Sequence, residues 1–280
     1  MPLSLMLSVY FYNIYKKNKQ NKILVFAVIL VALIYQLLMG TRSGAVDMIL
    51  ALLGVEIIRE GKLKFKSFIK LGIPLIFVIT FIAYFVGKSG VDKTKPFLQN
   101  IGAFYKDIIT YLFGGMAAFD KAVMYHGLIS SNGGVKRFFL QTAKSFGFNV
   151  YVPSLHMQFT SIGPGLVTNV YTIYSYYYID YGLLGTCFFV FLLGIISSFI
   201  YKKAKSGNDL YCVLYGFFVS GIILSVYNEN FYTNLNFLIK VIIIISILEF
   251  LKRLRLSRYN TSCQYGGDGN FENSGIYRGN

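Results

Sequence analysis

The chain has 280 residues, 55% hydrophobic and only 14% charged, with a formal net charge of +15. Soluble domains carry about 25% charged residues. With a mean hydropathy of +0.55, the composition excludes a disordered chain and argues against an ordinary cytosolic enzyme. The three cysteines, Cys187, Cys212 and Cys263, are too few and too scattered for a disulfide framework or a zinc site.

A helix that crosses the roughly 30 Å hydrocarbon core needs about 20 mostly apolar residues. Taken in chain order, Ile23–Met39, Gly44–Ile58, Leu71–Val86, Gly182–Tyr201, Leu210–Tyr227 and Phe237–Leu251 come close to that length. Leu3–Tyr15 precedes them and is shorter. It has no basic stretch before it and no small-residue cleavage site after it, so a signal peptide fits poorly. It reads as the end of a longer span, and the chain as a shortened version of a larger protein. The expected fold is therefore all-α: a polytopic transmembrane helix bundle with a long extracytoplasmic loop containing amphipathic helices. Residues 1–86 and 181–256 hold the spans, 87–180 the loop, and 257–280 a polar, disordered cytoplasmic tail.

The positive charge lies where such a bundle needs it. Clusters at Lys16–Lys22, Arg59–Lys70, Lys202–Lys205 and Lys252–Arg258 follow alternate segments and hold 16 basic residues with one acid, Glu60. The remaining 11 basic and 11 acidic residues cancel. If every segment spans, all four clusters share one face, which the positive-inside rule makes cytoplasmic. The excess charge then needs no nucleic-acid partner. The amino terminus is expected outside and the tail inside.

The external loop is too long for a linker, and loops of that size usually bind or process something. Ile101, Phe104, Tyr105, Ile108, Ile109 and Leu112 recur at helical spacing. Weaker helices are expected over Gly115–Tyr125 and Val135–Phe146, with breaks at Gly114-Gly115 and Gly133-Gly134. Such helices either cap the bundle or form a lid over a cleft at membrane level. Tyrosines at 171, 174, 176, 177, 178 and 181 suit an interfacial belt or a surface that stacks on sugar rings.

Several chemistries lack their signatures. The sequence has no Gly-x-x-x-x-Gly-Lys-Ser/Thr loop, no Asp-x-Asp pair and no His-Glu-x-x-His site, so no metal and no cofactor are expected. Two constellations remain. Gly40-Thr41-Arg42-Ser43-Gly44 forms a short external turn between two spans. Its Arg42 either pairs with Asp47, one helical turn deeper, or aims its planar fork at a phosphate. Asn169-Val170-Tyr171-Thr172 is followed by Asp180-Tyr181-Gly182-Leu183-Leu184-Gly185 at the outer end of the next span. Asp180 reads as a helix cap or as a general base, and Glu229 at another outer helix end is equally open.

These two motifs and the long loop between them resemble bacterial O-antigen or capsular repeat-unit polymerases, over roughly residues 20 to 255. The resemblance implies a metal-independent glycosyltransferase at the outer leaflet of the bacterial inner membrane. It would move a growing glycan from polyprenyl diphosphate onto a new lipid-linked repeat unit. Its partners would be that lipid-linked oligosaccharide, membrane lipids, and chain-length regulator and flippase proteins. Arg42 is then the first candidate to neutralise the departing diphosphate, with Lys136 or Arg137 as a second. Asp180 is the first candidate base, ahead of Glu229 and His156, the last of which reads equally as an ordinary loop residue. Asn169 and Tyr171 join Lys136, Arg137 and Glu229 as candidate substrate contacts. A lipid-linked oligosaccharide flippase or other transporter, and an O-antigen ligase, are the competing readings.

Overall fold

Unbroken apolar runs satisfy their backbone groups internally, and here they fold as helices. The computed structural model describes residues 3–19, 21–38, 42–61, 69, 94, 97–125, 134–153, 157–164 and 166–265. Within them run α1 (Leu3–Asn18), α2 (Lys22–Leu38), α3 (Arg42–Glu60), α4 (Ile101–Met124), α5 (Gly134–Ser145), α6 (Ile173–Lys205), α7 (Asp209–Leu224) and α8 (Leu235–Tyr265). A 3-10 turn, Phe97–Asn100, leads into α4. Between α5 and α6 lie two short antiparallel strands, β1 (Thr160–Gly163) and β2 (Leu166–Thr168), which the all-α expectation lacked. The expected span Leu71–Val86, His156 and residues 266–280 of the tail lie outside the described residues.

The core centres on α3 and α7. Met48, Ala51, Leu52 and Val55 of α3 cluster with Val213, Leu214, Phe217 and Phe218 of α7 and with Leu5, Met6 and Val9 of α1. Two glycines set how close the helices come. A Cβ at Gly54 would lie 2.8 Å from the Gly216 Cα, and one at Gly216 would lie 2.6 Å from the Ala51 carbonyl oxygen. Small residues at a crossing let backbones meet, which is the usual way helices pack when lipid removes the hydrophobic driving force between them. Inside this contact, Ser220 Oγ donates to the buried Asp47 Oδ1 at 3.0 Å.

The outward faces are apolar. Phe26 and Val31 on α2, Leu184, Phe188 and Phe191 on α6, and Phe250 on α8 are all more than half exposed. Among the described residues one helix, Ile173–Lys205, is long and apolar enough to cross a membrane by length and composition, while Lys22–Gln36 and Asp209–Leu224 are apolar but shorter.

Three boundaries differ from the sequence reading. Gly114-Gly115 does not break the chain, and α4 runs through both residues. A Cβ at Gly115 would lie 2.5 Å from the Val226 carbonyl oxygen, so the glycine serves close approach to the loop after α7 and not a bend. α6 begins at Ile173, well before the expected Gly182, and carries one break at Gly182 (φ 66°, ψ −166°), a conformation essentially confined to glycine. α8 continues to Tyr265, into the stretch read as tail.

Candidate functional site

Of the expected site residues, Lys136, Arg137, Asn169, Tyr171, Asp180 and Glu229 lie where the amino-terminal end of α6 meets α5, the β-hairpin and the α7–α8 loop. The first turns of α6 are anchored on that loop at three points. Ile173 N–H donates to the Ser225 carbonyl oxygen at 2.9 Å, Tyr176 OH to Asn228 Oδ1 at 2.9 Å, and Tyr177 OH to Glu229 Oε1 at 3.0 Å. Gly182 then separates this anchored stub from the lipid-compatible remainder of the helix.

Glu229 is the knot in that anchor. Its side chain is 1% exposed. Oε1 accepts the Phe231 and Tyr232 amides at 2.8 and 2.9 Å, and Oε2 accepts the Thr233 amide at 2.6 Å. Thr233 Oγ1 also donates to the Glu229 carbonyl oxygen. A carboxylate that accepts from three amides and a phenol has its charge dispersed over those dipoles and organises the turn. Burial, and then the Glu229 charge, push the neighbouring Tyr232 hydroxyl up to about 12. That hydroxyl is buried without a hydrogen-bond partner.

Asp180 is in the opposite condition. It sits two turns into α6, whose N-cap is Thr172, and two residues before the break at Gly182. Asp180 Oδ2 is buried and makes no hydrogen bond. The start of α5 packs directly on it. Gly134 is buried with φ +37°, and a Cβ there would stand 2.6 Å from Asp180 Oδ2. Two residues on, the exposed Lys136 places its ammonium 5.4 Å from the centre of the Tyr181 ring, next in sequence to Asp180. The start of α5 is thus brought against Asp180 and Tyr181 from residues more than 40 positions away, a juxtaposition invisible in the sequence. Buried polar atoms are nearly always hydrogen-bonded, so the unpartnered Asp180 Oδ2 asks for an explanation.

The other candidates hold the scaffold. Arg137 Nη1 donates to the Pro153 carbonyl oxygen and ties the segment after α5 back onto that helix. Tyr171 is fully buried. Its hydroxyl bonds Thr160 Oγ1 and donates to the Gln158 carbonyl oxygen at 3.2 Å, joining the hairpin to the base of α6. Burial raises that phenol above its ordinary range, and the Thr160 hydrogen bond works in the other direction. Asn169 is half-buried beside Thr168, whose hydroxyl accepts the Val170 amide at 3.0 Å. Arg42 opens α3, but its side chain lies outside the described residues, as does the expected pairing with Asp47.

The sequence reading missed the tyrosine–loop anchor and the glycine seat under Asp180. The adjacent Tyr176-Tyr177 and the Asn228-Glu229-Asn230 turn were visible as composition, but their pairing spans 52 residues.

Fold and site together define a largely helical protein with lipid-compatible faces and a polar, aromatic site at one end. Over residues 3–125, a little under half of its length, the chain matches the family model of the O-antigen polysaccharide polymerase Wzy. The match bears out the family resemblance and spans α1 to α4 with the Arg42 turn, while Lys136 and the second motif, with Asp180, lie beyond it. No curated protein and no solved structure matches the chain.

Proposed function

We propose that this protein polymerises lipid-linked O-antigen repeat units as a multi-pass protein of the bacterial inner membrane. The observation that carries this reading is the family match over residues 3–125. The exposed apolar faces of α2, α6 and α8 support the embedding, and the basic ends of α1, α3, α6 and α8 support its orientation.

The chemistry follows from what a glycosyl diphosphate supplies. Its diphosphate is already a good leaving group. A sugar hydroxyl of the incoming repeat unit attacks the anomeric carbon of the growing chain. The bond from that carbon to the diphosphate oxygen breaks, the diphosphate leaves with the electron pair, and the hydroxyl proton passes to a base. Asp180 Oδ2 is the base in this scheme, because it is the carboxylate oxygen at the site without a donor. Arg42 and Lys136 are the cations that meet the charge growing on the diphosphate. Glu229 and Tyr171 position the α6 stub that carries Asp180.

Purified protein given a synthetic polyprenyl-diphosphate-linked repeat unit should form oligomers without nucleotide or added metal. Product only with a lipid A-core acceptor would replace the polymerase by a ligase. Movement of the lipid between leaflets with no new glycosidic bond would replace it by a flippase.

A further inference from the structure

The opposite end of the molecule carries a second feature that the polymerase chemistry does not use. α1 and α2 form a tight hairpin, and between their cytoplasmic ends lies a notch of about 100 Å³. Phe11, Ile14, Tyr15, Leu24 and Val25 give it apolar walls, and Asn18 and Asn21 stand in it. Both asparagines are exposed, so their amides face the water side of the notch.

The turn above this notch is held in an unusual shape. Lys19 (φ 58°) and Asn21 (φ 59°) are both left-handed. Asparagine tolerates that region, but lysine rarely enters it. Lys19 N–H still closes α1 by donating to the Tyr15 carbonyl oxygen at 2.7 Å, and Val25 N–H donates to the Asn21 carbonyl oxygen at 3.1 Å.

The four lysines of this region divide into two pairs. Lys16 turns inward to Glu56 at 3.2 Å and Glu60 at 2.6 Å, and the exposed Lys17 pairs with Asp209 at 2.9 Å. Lys19 and Lys22 are exposed, and neither joins an ion pair among the described residues. No acid precedes Asp47 in the chain, so nothing on α1 or α2 offsets them.

We infer that this notch is a binding site for an anionic phospholipid of the inner leaflet. One acyl chain packs on Phe11, Ile14, Leu24 and Val25, while Lys19, Lys22 and the two asparagine amides hold the phosphate. Basic pockets between membrane helices on the cytoplasmic side bind anionic headgroups for this reason: a short-range charge attraction adds to an apolar seat. The inference rests on the embedding and orientation proposed above.

The test is native mass spectrometry of the full-length protein in detergent, titrated with phosphatidylglycerol or with phosphatidylcholine of the same acyl chains. Wild type should bind phosphatidylglycerol about 25-fold more tightly. The double variant K19Q/K22Q should lose that preference, about fivefold for each lysine. Leu24→Trp, which fills the apolar seat from an exposed position, should weaken both lipids. K202Q/K203Q, on another basic cytoplasmic turn, should leave the preference intact. Equal binding of the two lipids by wild type would overturn the site. So would loss of the preference in K202Q/K203Q, since the effect would then belong to the whole basic belt. Alkaline extraction of membranes tests the embedding separately: a chain released into the soluble fraction would sink the orientation on which the site depends.

Discussion

The two ends of the bundle handle charge in opposite ways. At the inner end, Asp209 is 7% exposed and accepts from Asn13 Nδ2 at 3.2 Å, from Lys17 and from Arg59, while Arg59 Nε also donates to Asn13 Oδ1 at 2.8 Å. Tyr12 OH donates to Glu56 at 2.9 Å and Tyr10 OH to Glu249 at 2.7 Å, so α1, α3, α7 and α8 are joined in one network. Each acid there has donors. At the outer end Glu229 is saturated in the same manner, yet Asp180 Oδ2 and Tyr232 OH are buried and unpartnered. Saturated charge holds helices in register; an orphaned oxygen costs stability and is retained where chemistry needs it. The first end is a clamp, and the second holds the residues proposed above as the site.

That contrast can be broken by mutation. The largest effect is expected for Arg42→Ala and Asp180→Asn at the outer end. Arg42→Ala should abolish chain elongation, read as loss of the polysaccharide ladder on a gel, with the protein still accumulating in the membrane. Asp180→Asn should lower the transfer rate about 10²- to 10⁴-fold, the usual contribution of a positioned base, with the melting temperature little changed. A normal ladder in either variant would remove that residue from the mechanism.

Asp209→Asn should do the reverse. It leaves Arg59 short of its charge partner in a half-sealed site, where breaking a buried pair costs about 3–5 kcal/mol. A thermal melt in detergent should show a large loss, while the rate per folded molecule stays near wild type. If Asp209→Asn instead spares stability and removes activity, the two ends have been assigned the wrong way round.

Gly134→Ala tests the seat under Asp180. The new Cβ meets Asp180 Oδ2, and the residue must also hold a positive φ, which costs about 1–2 kcal/mol for a non-glycine. Displacement of α5, and with it Lys136, should reduce transfer while leaving the inner clamp and most of the stability in place.

The smallest effect concerns pH. Asp209 lies just before the apolar run that begins at Leu210. Burial alone would raise its carboxyl, but the Lys17 hydrogen bond and charge, with Arg59, hold it below the ordinary range. Its folded value is thus depressed. Its contribution to stability is fully present above the unfolded value of about 4 and is lost as the pH falls through the folded value. The melting temperature should be insensitive to this group between pH 5 and 8 and fall below pH 4, and Asp209→Asn should flatten that acid limb.

Much of the architecture was legible because it depends on local pattern. The apolar runs of α1, α2, α3 and α7 and the stripe of α4 repeat at helical spacing, which nearest neighbours in the chain settle. Two of the three misread boundaries were at glycines. Gly114-Gly115 and Gly182 look alike in sequence; one pair lies inside a straight helix and the other residue breaks one. What stands opposite them decides, and for Gly115 that is the Val226 carbonyl oxygen.

Charge was counted correctly but placed only in part. By segment, the excess belongs to four basic clusters and the remaining residues cancel. The structure then brings Glu56, Asp209 and Glu249, acids of that neutral remainder, onto Lys16, Lys17 and Lys252. Of the first cluster, Lys19 and Lys22 are exposed with no ion pair among the described residues.

The sequence by itself therefore determined the class of molecule, the positions of most helices and the residues able to carry chemistry, since composition and periodicity are local properties. Only the tertiary structure decided that Glu229 is bound up in a turn, that Tyr171 and Arg137 brace the scaffold, and that Asp180 keeps an open oxygen against Gly134 at the start of α5. Those distinctions depend on which groups meet across separations of up to 52 residues. Such reach is set by how the helices cross, and no stretch of sequence records it.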